Sequence, residues 1–282
     1  MRAFGAICAI MHGFAPSPHR RDRGVDWLKY PLIVLAGVAA GFVNILAGNG
    51  SLITLPALIF FGLPANIANA TNRVGVVFQN IVGVAGFQRK GMLDLHGGLL
   101  YSIPTAIGSI LGAYIAVDIN EAVFRRVLAV VMILMLVLMF VKPERWVKGK
   151  VERANHRLTI ASIIIFFAIG IYGGFLQAGV GIFLLVALVL NAGYDAVRGN
   201  AVKVFIVLSL TIVALIVFQA NGQVQWGVGL LLAVGNMIGA WLATRFAVEK
   251  GALWVRRFVI VVVLFSAAEL LGIVDWIATL FV

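Results

Sequence analysis

The chain has 282 residues, of which 62% are hydrophobic and only 12% are charged, whereas an ordinary soluble domain has about half apolar and about a quarter charged residues. This composition excludes a soluble globular fold and requires lipid as the surrounding solvent. The formal net charge of +11 lies in short basic runs between apolar segments, which is typical of loops beside a membrane and not of a nucleic-acid-binding surface.

The sequence predicts an all-α polytopic membrane protein with a basic tail at residues 1–30 and eight apolar segments after it. A membrane helix needs about 20 residues, so most segments fit a single crossing at most. The first and fifth segments are too long for one simple helix. The eight segments are 31–62, 74–87, 97–117, 122–141, 158–191, 202–220, 226–247 and 255–282.

Both long segments carry glycine near the middle, at residues 48–51 (GNGS) in the first and residues 177–181 (QAGVG) in the fifth. Glycine lets the backbone leave the helical conformation without a steric cost from Cβ. Non-helical backbone at membrane depth survives only where it is buried in protein or lines a wet cavity. The sequence therefore predicts a broken helix in each of these two segments.

A polar, basic linker at residues 142–157 separates two membrane halves, 31–141 and 158–282, of four segments each. The halves align at an offset of about 130 residues, which indicates an internal repeat of a kind common in transporters. The spacing alone leaves open whether the repeats are parallel or inverted. Examples of the alignment are residues 72–74 (NRV) with 202–204 (VKV) and residues 107–109 (IGS) with 238–240 (IGA).

Loop charges leave the topology open between two arrangements. Arg89, Lys90 and the central linker all favour the cytoplasmic side. If every segment crosses once, the N-terminal tail is also cytoplasmic, but the loop with Arg256 and Arg257 falls outside. If the broken fifth segment crosses twice, that loop returns to the cytoplasm.

Arg73 and Lys203 occupy equivalent positions of the two halves, and each is expected to begin the helix that follows a broken segment. A cation near hydrocarbon costs about 3 kcal/mol or more, so it usually faces a cavity or a partner. No acidic residue is near Arg73 in sequence, which makes a bound anion one candidate partner. Snorkelling from a helix end to the membrane interface is the other interpretation.

The two predicted breaks offer a second source of anion binding. A half-helix that starts inside the membrane presents free N–H groups and the positive end of its dipole. Close packing of helices through small residues is the alternative reason for the glycines. The predicted substrate-binding residues are Asn44, Asn49, Gly50, Ser51, Asn72, Arg73, Gln177, Gly179 and Lys203.

Catalysis and cofactor binding are not predicted. All four histidines lie outside the centres of the apolar segments, and no phosphate-binding loop or cluster of cysteines and carboxylates is present. The sequence therefore predicts neither an enzyme nor a metal or nucleotide site.

Residues 45–58 (ILAGNGSLITLPAL) resemble the first-repeat signature of the TauE/SafE permeases, and residues 62–64 (GLP) and 68–73 (ANATNR) resemble its next element. In the second half, residues 170–175 (GIYGGF) and 179–181 (GVG) are similar to the second copy of the signature. The resemblance covers nearly the whole chain from Pro31 onward. The sequence departs from the family pattern at two places. Asn49 breaks the first glycine run and Ser51 ends it, and Asn200 and Ala201 stand in place of Thr-Ser.

This resemblance implies a multi-pass permease of the bacterial inner membrane that moves small sulfur-containing anions such as sulfite or organosulfonates. We therefore expect a secondary transporter whose partners are a small anionic substrate and the lipid bilayer. The oligomeric state stays open, a homo-oligomer included. The alternative is a membrane scaffold or partner-binding subunit without transport activity, in which Arg73 and Lys203 face lipid headgroups or a partner protein.

Overall fold

The computed structural model describes residues 26–140 and 158–246, and within these stretches every helix or strand assigned is an α-helix. Four helices, in part or whole, are long and apolar enough to span a bilayer: residues Lys29–Ala47, Leu95–Asp118, Ala196–Ala220 and Trp226–Arg245. The predicted class of helical membrane protein is confirmed at this level. The helices are α1 (Asp26–Ala47), α2 (Ser51–Phe60), α3 (Ala65–Arg89), α4 (Leu95–Asp118), α5 (Glu121–Phe140), α6 (Ile160–Phe175), α7 (Val180–Leu190), α8 (Ala196–Ala220) and α9 (Trp226–Phe246).

Two helices are longer than the apolar segments predicted for them. Helix α3 begins at Ala65 and not near residue 74, and α8 begins at Ala196 and not near residue 202. The extra turns carry polar side chains that hydropathy places in loops, yet Asn69, Thr71 and Asn72 of α3 are almost completely buried. Helix α1 likewise begins inside the predicted tail. The predicted linker 142–157 and eighth segment 255–282 lie outside the described residues, as does most of the tail.

One close helix crossing joins α1 to α9 through glycines spaced four residues apart. A Cβ atom at Gly41 would lie 2.2 Å from the carbonyl oxygen of Asn236, and one at Gly239 would lie 2.1 Å from the carbonyl oxygen of Val38. No side chain fits at such distances, so the backbones are in direct contact. Small residues allow this contact, which is the main source of helix association in lipid.

A second crossing of the same kind joins α4 to α6. A Cβ atom at Gly108 would lie 2.2 Å from the carbonyl oxygen of Phe167, and one at Gly170 would lie 2.2 Å from the carbonyl oxygen of Thr105. Helix α1 is the first helix of the first predicted half, and α4 belongs to its third segment. Helix α6 is the first helix of the second predicted half, and α9 belongs to its third segment. Each half therefore packs its first helix against a helix of the other half.

The order of the contacts fixes the relative direction of the helices. Val34 and Val38 of α1 contact Gly235 and Gly239 of α9 in increasing order, so α1 and α9 run parallel. Thr105 and Ser109 of α4 contact Gly170 and Gly174 of α6 in increasing order, so these two helices also run parallel.

Helices α3 and α8 run antiparallel. Arg73, early in α3, lies over the ring of Phe218 late in α8, whereas the position of Gly83, later in α3, contacts Val204 near the start of α8. Helices α3 and α8, which occupy matching positions in the two predicted halves, therefore run in opposite directions.

The connections accordingly fall on two faces. We define face A as the side with residues 90–94 and 191–195, which are joined by the hydrogen bond from Tyr194 Oη to Asp94 Oδ2 at 2.6 Å. Burial, this hydrogen bond and the charge of Asp94 all raise the pKa of Tyr194, so its hydroxyl remains a donor at neutral pH. Face B is the side with residues 61–64, 119–120 and 221–225.

The chain doubles back between α1 and α2 and again between α6 and α7. Helix α1 starts on face B, because it is parallel to α9, and α2 returns to the face B connection at 61–64. Helix α6 starts on face A, and α7 returns to the face A connection at 191–195. The two hairpins meet at Gly48 and Gly181. A Cβ atom added at Gly48 would lie 2.6 Å from Cα of Gly181.

The glycine crossings make a direct prediction about stability. Replacing Gly170 by Val should force α4 and α6 apart, because the new side chain would overlap the backbone at Thr105, and should cost about 2–3 kcal/mol or more. Gly227→Ala is the matched control, since that helical position has open space around it and alanine favours helix by about 1 kcal/mol. Thermal unfolding in detergent measures both variants. Equal midpoints for the two variants would contradict the close-contact assignment.

Candidate functional site

Arg73 belongs to α3, and its side chain is completely buried at the interface between the two predicted halves. Its Nη2 donates a short hydrogen bond to the carbonyl oxygen of Gly174, near the end of α6, and its guanidinium carbon is 4.8 Å from the centroid of the Phe218 ring. One turn earlier, Asn69 Nδ2 donates to the carbonyl oxygen of Phe175 at 2.9 Å. The cation and the amide together satisfy carbonyl groups that the end of a helix leaves without partners.

Lys203 makes the reciprocal arrangement from α8. This side chain is only 2% exposed, and its Nζ lies 2.5 Å from Oδ1 of Asn200 and 3.5 Å from the carbonyl oxygen of Asn44. Asn200 Nδ2 donates to the carbonyl oxygen of Ile45 at 3.0 Å. Lysine and amide thus cap the end of α1, as Arg73 and Asn69 cap the end of α6.

The expectation that Arg73 and Lys203 project into one common cavity is not met by the described structure. Arg73 packs on Phe218, and Lys203 is about four turns earlier on the same helix, roughly 22 Å along its axis at 1.5 Å per residue. Neither residue begins its helix, because α3 and α8 extend further toward their N-termini than predicted. Both side chains are buried inside the protein.

The first break carries a set of buried hydrogen bonds centred on Asn72. Thr54 Oγ1 donates to Oδ1 of Asn72 at 2.6 Å, and Nδ2 of Asn72 donates to Ser51 Oγ at 3.1 Å. The Gly50 backbone N–H donates to Oδ1 of Asn44 at 3.3 Å. These four predicted site residues, Asn44, Gly50, Ser51 and Asn72, therefore lie around one turn of backbone between α1 and α2.

The second break is organised by Gln177 and Gly179, which both have positive φ angles of 62° and 75°. A positive φ strains a residue with a Cβ, and Gln177 is held there by a hydrogen bond from its Nε2 to Thr211 Oγ1 at 2.7 Å. A side chain at Gly179 would also collide with Met135, whose sulfur lies 2.3 Å from the added Cβ. The left-handed backbone favours glycine at residue 179, and any larger side chain there would displace the flexible end of Met135.

Several polar atoms near the breaks are buried and have no hydrogen-bond partner among the described residues. Buried polar groups are nearly always paired, so a cluster of exceptions marks a place for water or a ligand. Asn49, another predicted site residue, belongs to this group and is 2% exposed. The atoms are Nε and Nη1 of Arg73 and the amide oxygens of Asn49, Asn69 and Gln177.

The similarity to known proteins covers almost all of the chain. A family model described as "Sulfite exporter TauE/SafE" matches residues 33–270. The chain belongs to this family. The resemblance drawn from the glycine-rich signatures is therefore confirmed.

Relatives with names of the same kind cover most of their own length and of this chain. The chain is 29% identical over 242 residues to "Probable membrane transporter protein ORF9" of Sinorhizobium sp, covering 85% of this chain and 91% of the relative. It is 28% identical over 248 residues to "Probable membrane transporter protein YfcA" of Escherichia coli strain K12, covering 88% and 91%. It is 25% identical over 255 residues to a "Probable membrane transporter protein" of Haemophilus influenzae, covering 90% and 98%. No solved structure shows significant similarity.

This family consists of membrane transporters and not enzymes, in agreement with the absence of predicted catalytic residues. Residues 26–140 and 158–246 contain no group of three or more His, Cys, Asp or Glu side chains that could hold a metal ion. The site in this TauE/SafE member is thus built from amides, hydroxyls, backbone carbonyl groups and two buried cations.

Four residues of this site were not in the predicted set. Asn69 is one helical turn before Arg73 and shares its face, so the spacing of i and i+4 was the signal for it. Asn200, three residues before Lys203, was noted only as a departure from the family pattern. Thr54 and Thr211 carry no comparable signal, because their amide partners are distant in sequence.

Asn72 should stabilise the first break measurably. Asn72→Leu leaves the buried hydroxyls of Thr54 and Ser51 without their partner, and we expect a loss of about 1 kcal/mol, between the roughly 0.6 kcal/mol mean for bonds within membranes and the full cost of an unpaired buried group. The control is Asn66→Leu, since the Asn66 side chain bonds only its neighbour's N–H, that of Ile67. Urea or thermal unfolding in detergent gives the comparison, and a larger loss in the control would contradict this role of Asn72.

Proposed function

We propose that this chain is a secondary transporter that moves a small oxyanion, of the class of sulfite and organosulfonates, across the bacterial inner membrane by alternating access. The family supplies the transporter class. The observation that supports an anionic substrate is the buried guanidinium of Arg73, which keeps two nitrogen donors unpartnered beside the end of α6.

Electrostatics favours an anion as the missing partner. A buried cation needs a counter-charge or several acceptors, and Arg73 has one carbonyl oxygen and an aromatic face among the described residues. An oxyanion has several acceptor oxygens and forms charge-assisted hydrogen bonds with guanidinium, which are stronger than neutral ones. The planar fork of arginine suits sulfite and sulfonate groups in the same way as carboxylate and phosphate.

Residues 31–141 and 158–282 are, in this proposal, two inverted repeats of four segments, with a discontinuous helix opening each. The reciprocal crossings of α1 with α9 and of α6 with α4 support it. The reciprocal caps support it too, because Asn44 and Gly174 differ by 130 positions, as do Arg73 and Lys203. In inverted-repeat transporters the substrate binds between the repeats, and one repeat moves against the other.

The same caps give the alternating movement a physical basis. Arg73 bonds across the repeat interface to Gly174, and Lys203 bonds across it to Asn44. A bound anion competes with the Gly174 carbonyl group for the guanidinium. Binding at Arg73 would therefore weaken one of the two contacts that tie the repeats together, which is the differential interaction that a conformational change requires.

Face A is assigned to the cytoplasm in this proposal. Arg89, Lys90 and Arg245 are exposed at its helix ends, and the basic linker 142–157 directly precedes α6, which begins there. Cytoplasmic loops carry the excess of Lys and Arg. Helix α1 then begins on the periplasmic side, in contrast to the arrangement in which every segment crosses once.

The second candidate function, a scaffold without transport activity, required Arg73 and Lys203 to face headgroups or a partner. Their burial and their reciprocal bonds to helix ends do not favour it.

Arg73→Ala should reduce anion flux strongly. Loss of hydrogen bonds to a charged partner costs about 1.5–3 kcal/mol, which corresponds to roughly a tenfold to hundredfold weaker affinity. Arg73→Lys should be milder, since the charge survives without the fork. The measurement is uptake of labelled sulfite and a panel of sulfonates into proteoliposomes, with Arg125→Ala, an exposed arginine on face B, as the matched control. Wild-type flux in a folded Arg73→Ala protein would restrict Arg73 to capping α6.

The two faces should react with opposite sides of the membrane. In a Cys8→Ser background, Gln88→Cys on face A and Ala220→Cys on face B both place a thiol at an exposed helix end. A membrane-impermeant maleimide added to intact spheroplasts should label only Ala220→Cys, and Gln88→Cys should react after the membrane is permeabilised. Labelling of Gln88→Cys in intact cells would reverse the assignment of the faces.

A further inference from the structure

A groove of about 380 Å³ lies between the C-terminal ends of α3 and α9 on face A. One end is lined by the basic residues Arg89, Lys90 and Arg245, and the floor is lined by apolar side chains, among them Ile81 and Trp241. This groove is separate from the breaks and contains none of the predicted substrate-binding residues.

We propose that this groove binds one anionic phospholipid, with the phosphate at the three cations and an acyl chain along the apolar floor. The site is independent of the transported substrate and of the anion proposed for Arg73.

The charge of the groove matches such a headgroup. Among the described residues, its lining contains three cations and no carboxylate. The site is also organised, because Lys90 Nζ donates to the carbonyl oxygen of Thr244 and the Arg245 guanidinium lies 4.1 Å from the centroid of the Trp241 ring. Basic pockets between membrane helices on the cytoplasmic side are suited to anionic headgroups.

The apolar floor distinguishes a lipid from a free phosphate or sulfite ion. Ile81 is 47% exposed and Trp241 is 45% exposed, so both offer apolar surface to a molecule in the groove. A tryptophan at this depth, next to arginine, is typical of the interface where headgroup and acyl chain join. A small free anion has no chain to place on this hydrophobic surface, whereas an acyl chain packs along it through van der Waals contact.

The corresponding place in the other predicted half lacks the charges. The offset that aligns Gly91 with Gly222 pairs Arg89 and Lys90 with Ala220 and Asn221, and it pairs Arg245 with Tyr114. These counterparts lie on face B, at the ends of α8 and α4. The helix crossing therefore does not need cations for its stability, and the charges on face A call for another partner.

Native mass spectrometry of the full chain in detergent tests the proposal with three probes. The probes are phosphatidylglycerol, phosphatidylcholine with the same acyl chains, and glycerol phosphate without acyl chains. We expect one phosphatidylglycerol to bind at least tenfold more tightly than phosphatidylcholine, and glycerol phosphate to bind no more tightly than phosphatidylcholine. Equal affinity for the two lipids, or tight binding of glycerol phosphate alone, would overturn the proposal.

Charge removal locates the site. Each of Arg89→Gln, Lys90→Gln and Arg245→Gln should weaken phosphatidylglycerol binding about fivefold, the usual contribution of one cation near an anionic surface, and leave phosphatidylcholine binding unchanged. The control is Lys29→Gln combined with Arg125→Gln and Arg126→Gln, which removes three charges from face B. Loss of selectivity in this control, or its retention in all three single variants, would show that general surface charge attracts the lipid. Because the three groove charges are removed one at a time, locating the site does not depend on a triple groove variant that fails to fold.

Discussion

The structure depends on how carbonyl groups are satisfied where helices end inside a membrane protein. Lipid offers no hydrogen bonds, so the last turns of α1 and α6 need donors from elsewhere in the chain. Asn200 and Lys203 supply them to α1, and Asn69 and Arg73 supply them to α6. Each donor pair combines an amide with a cation, which also offsets the negative end of the helix dipole.

This constraint explains why two cations are tolerated in the interior. A buried charge that has a carbonyl oxygen at a helix end and a second polar or aromatic partner is far less costly than one in dry hydrocarbon. Arg73 remains only partly satisfied, with Nε and Nη1 unpartnered among the described residues. One side chain therefore holds the two halves together and also offers free donors to a ligand. Competition between these two roles is the physical link that we propose between binding and movement.

The glycines bring the helix ends within reach of their donors. Backbone contact between α1 and α9 and between α4 and α6 fixes where α1 and α6 end relative to α3 and α8. The same close approach joins Gly48 to Gly181 where the hairpins meet. Close packing through small residues and a polar site at the breaks were alternatives on the sequence alone. In the fold the two interpretations are compatible, because the close packing of the helices brings the polar groups together.

The sequence by itself determined the membrane-helical class, the position of most helices and the family. Hydropathy acts over a single segment, and the signature residues are adjacent in the chain, so no tertiary information was needed. The offset between the predicted halves also led us to expect that Arg73 and Lys203 are equivalent. It did not follow that they lie apart, because the offset relates positions and says nothing about the directions of the helices.

Only the tertiary structure decided those directions, the true starts of α3 and α8, and the partners of the two cations. Arg73 meets Gly174 across 101 positions, and Lys203 meets Asn44 across 159. Hydropathy assigns the polar helical turns that contain Asn69 and Asn72 to a loop. A hydropathy window covers only neighbouring residues, so it contains no information about the helices that bury these side chains. Contacts between residues so far apart in sequence form only where helices cross. They determine which acceptor each buried cation bonds.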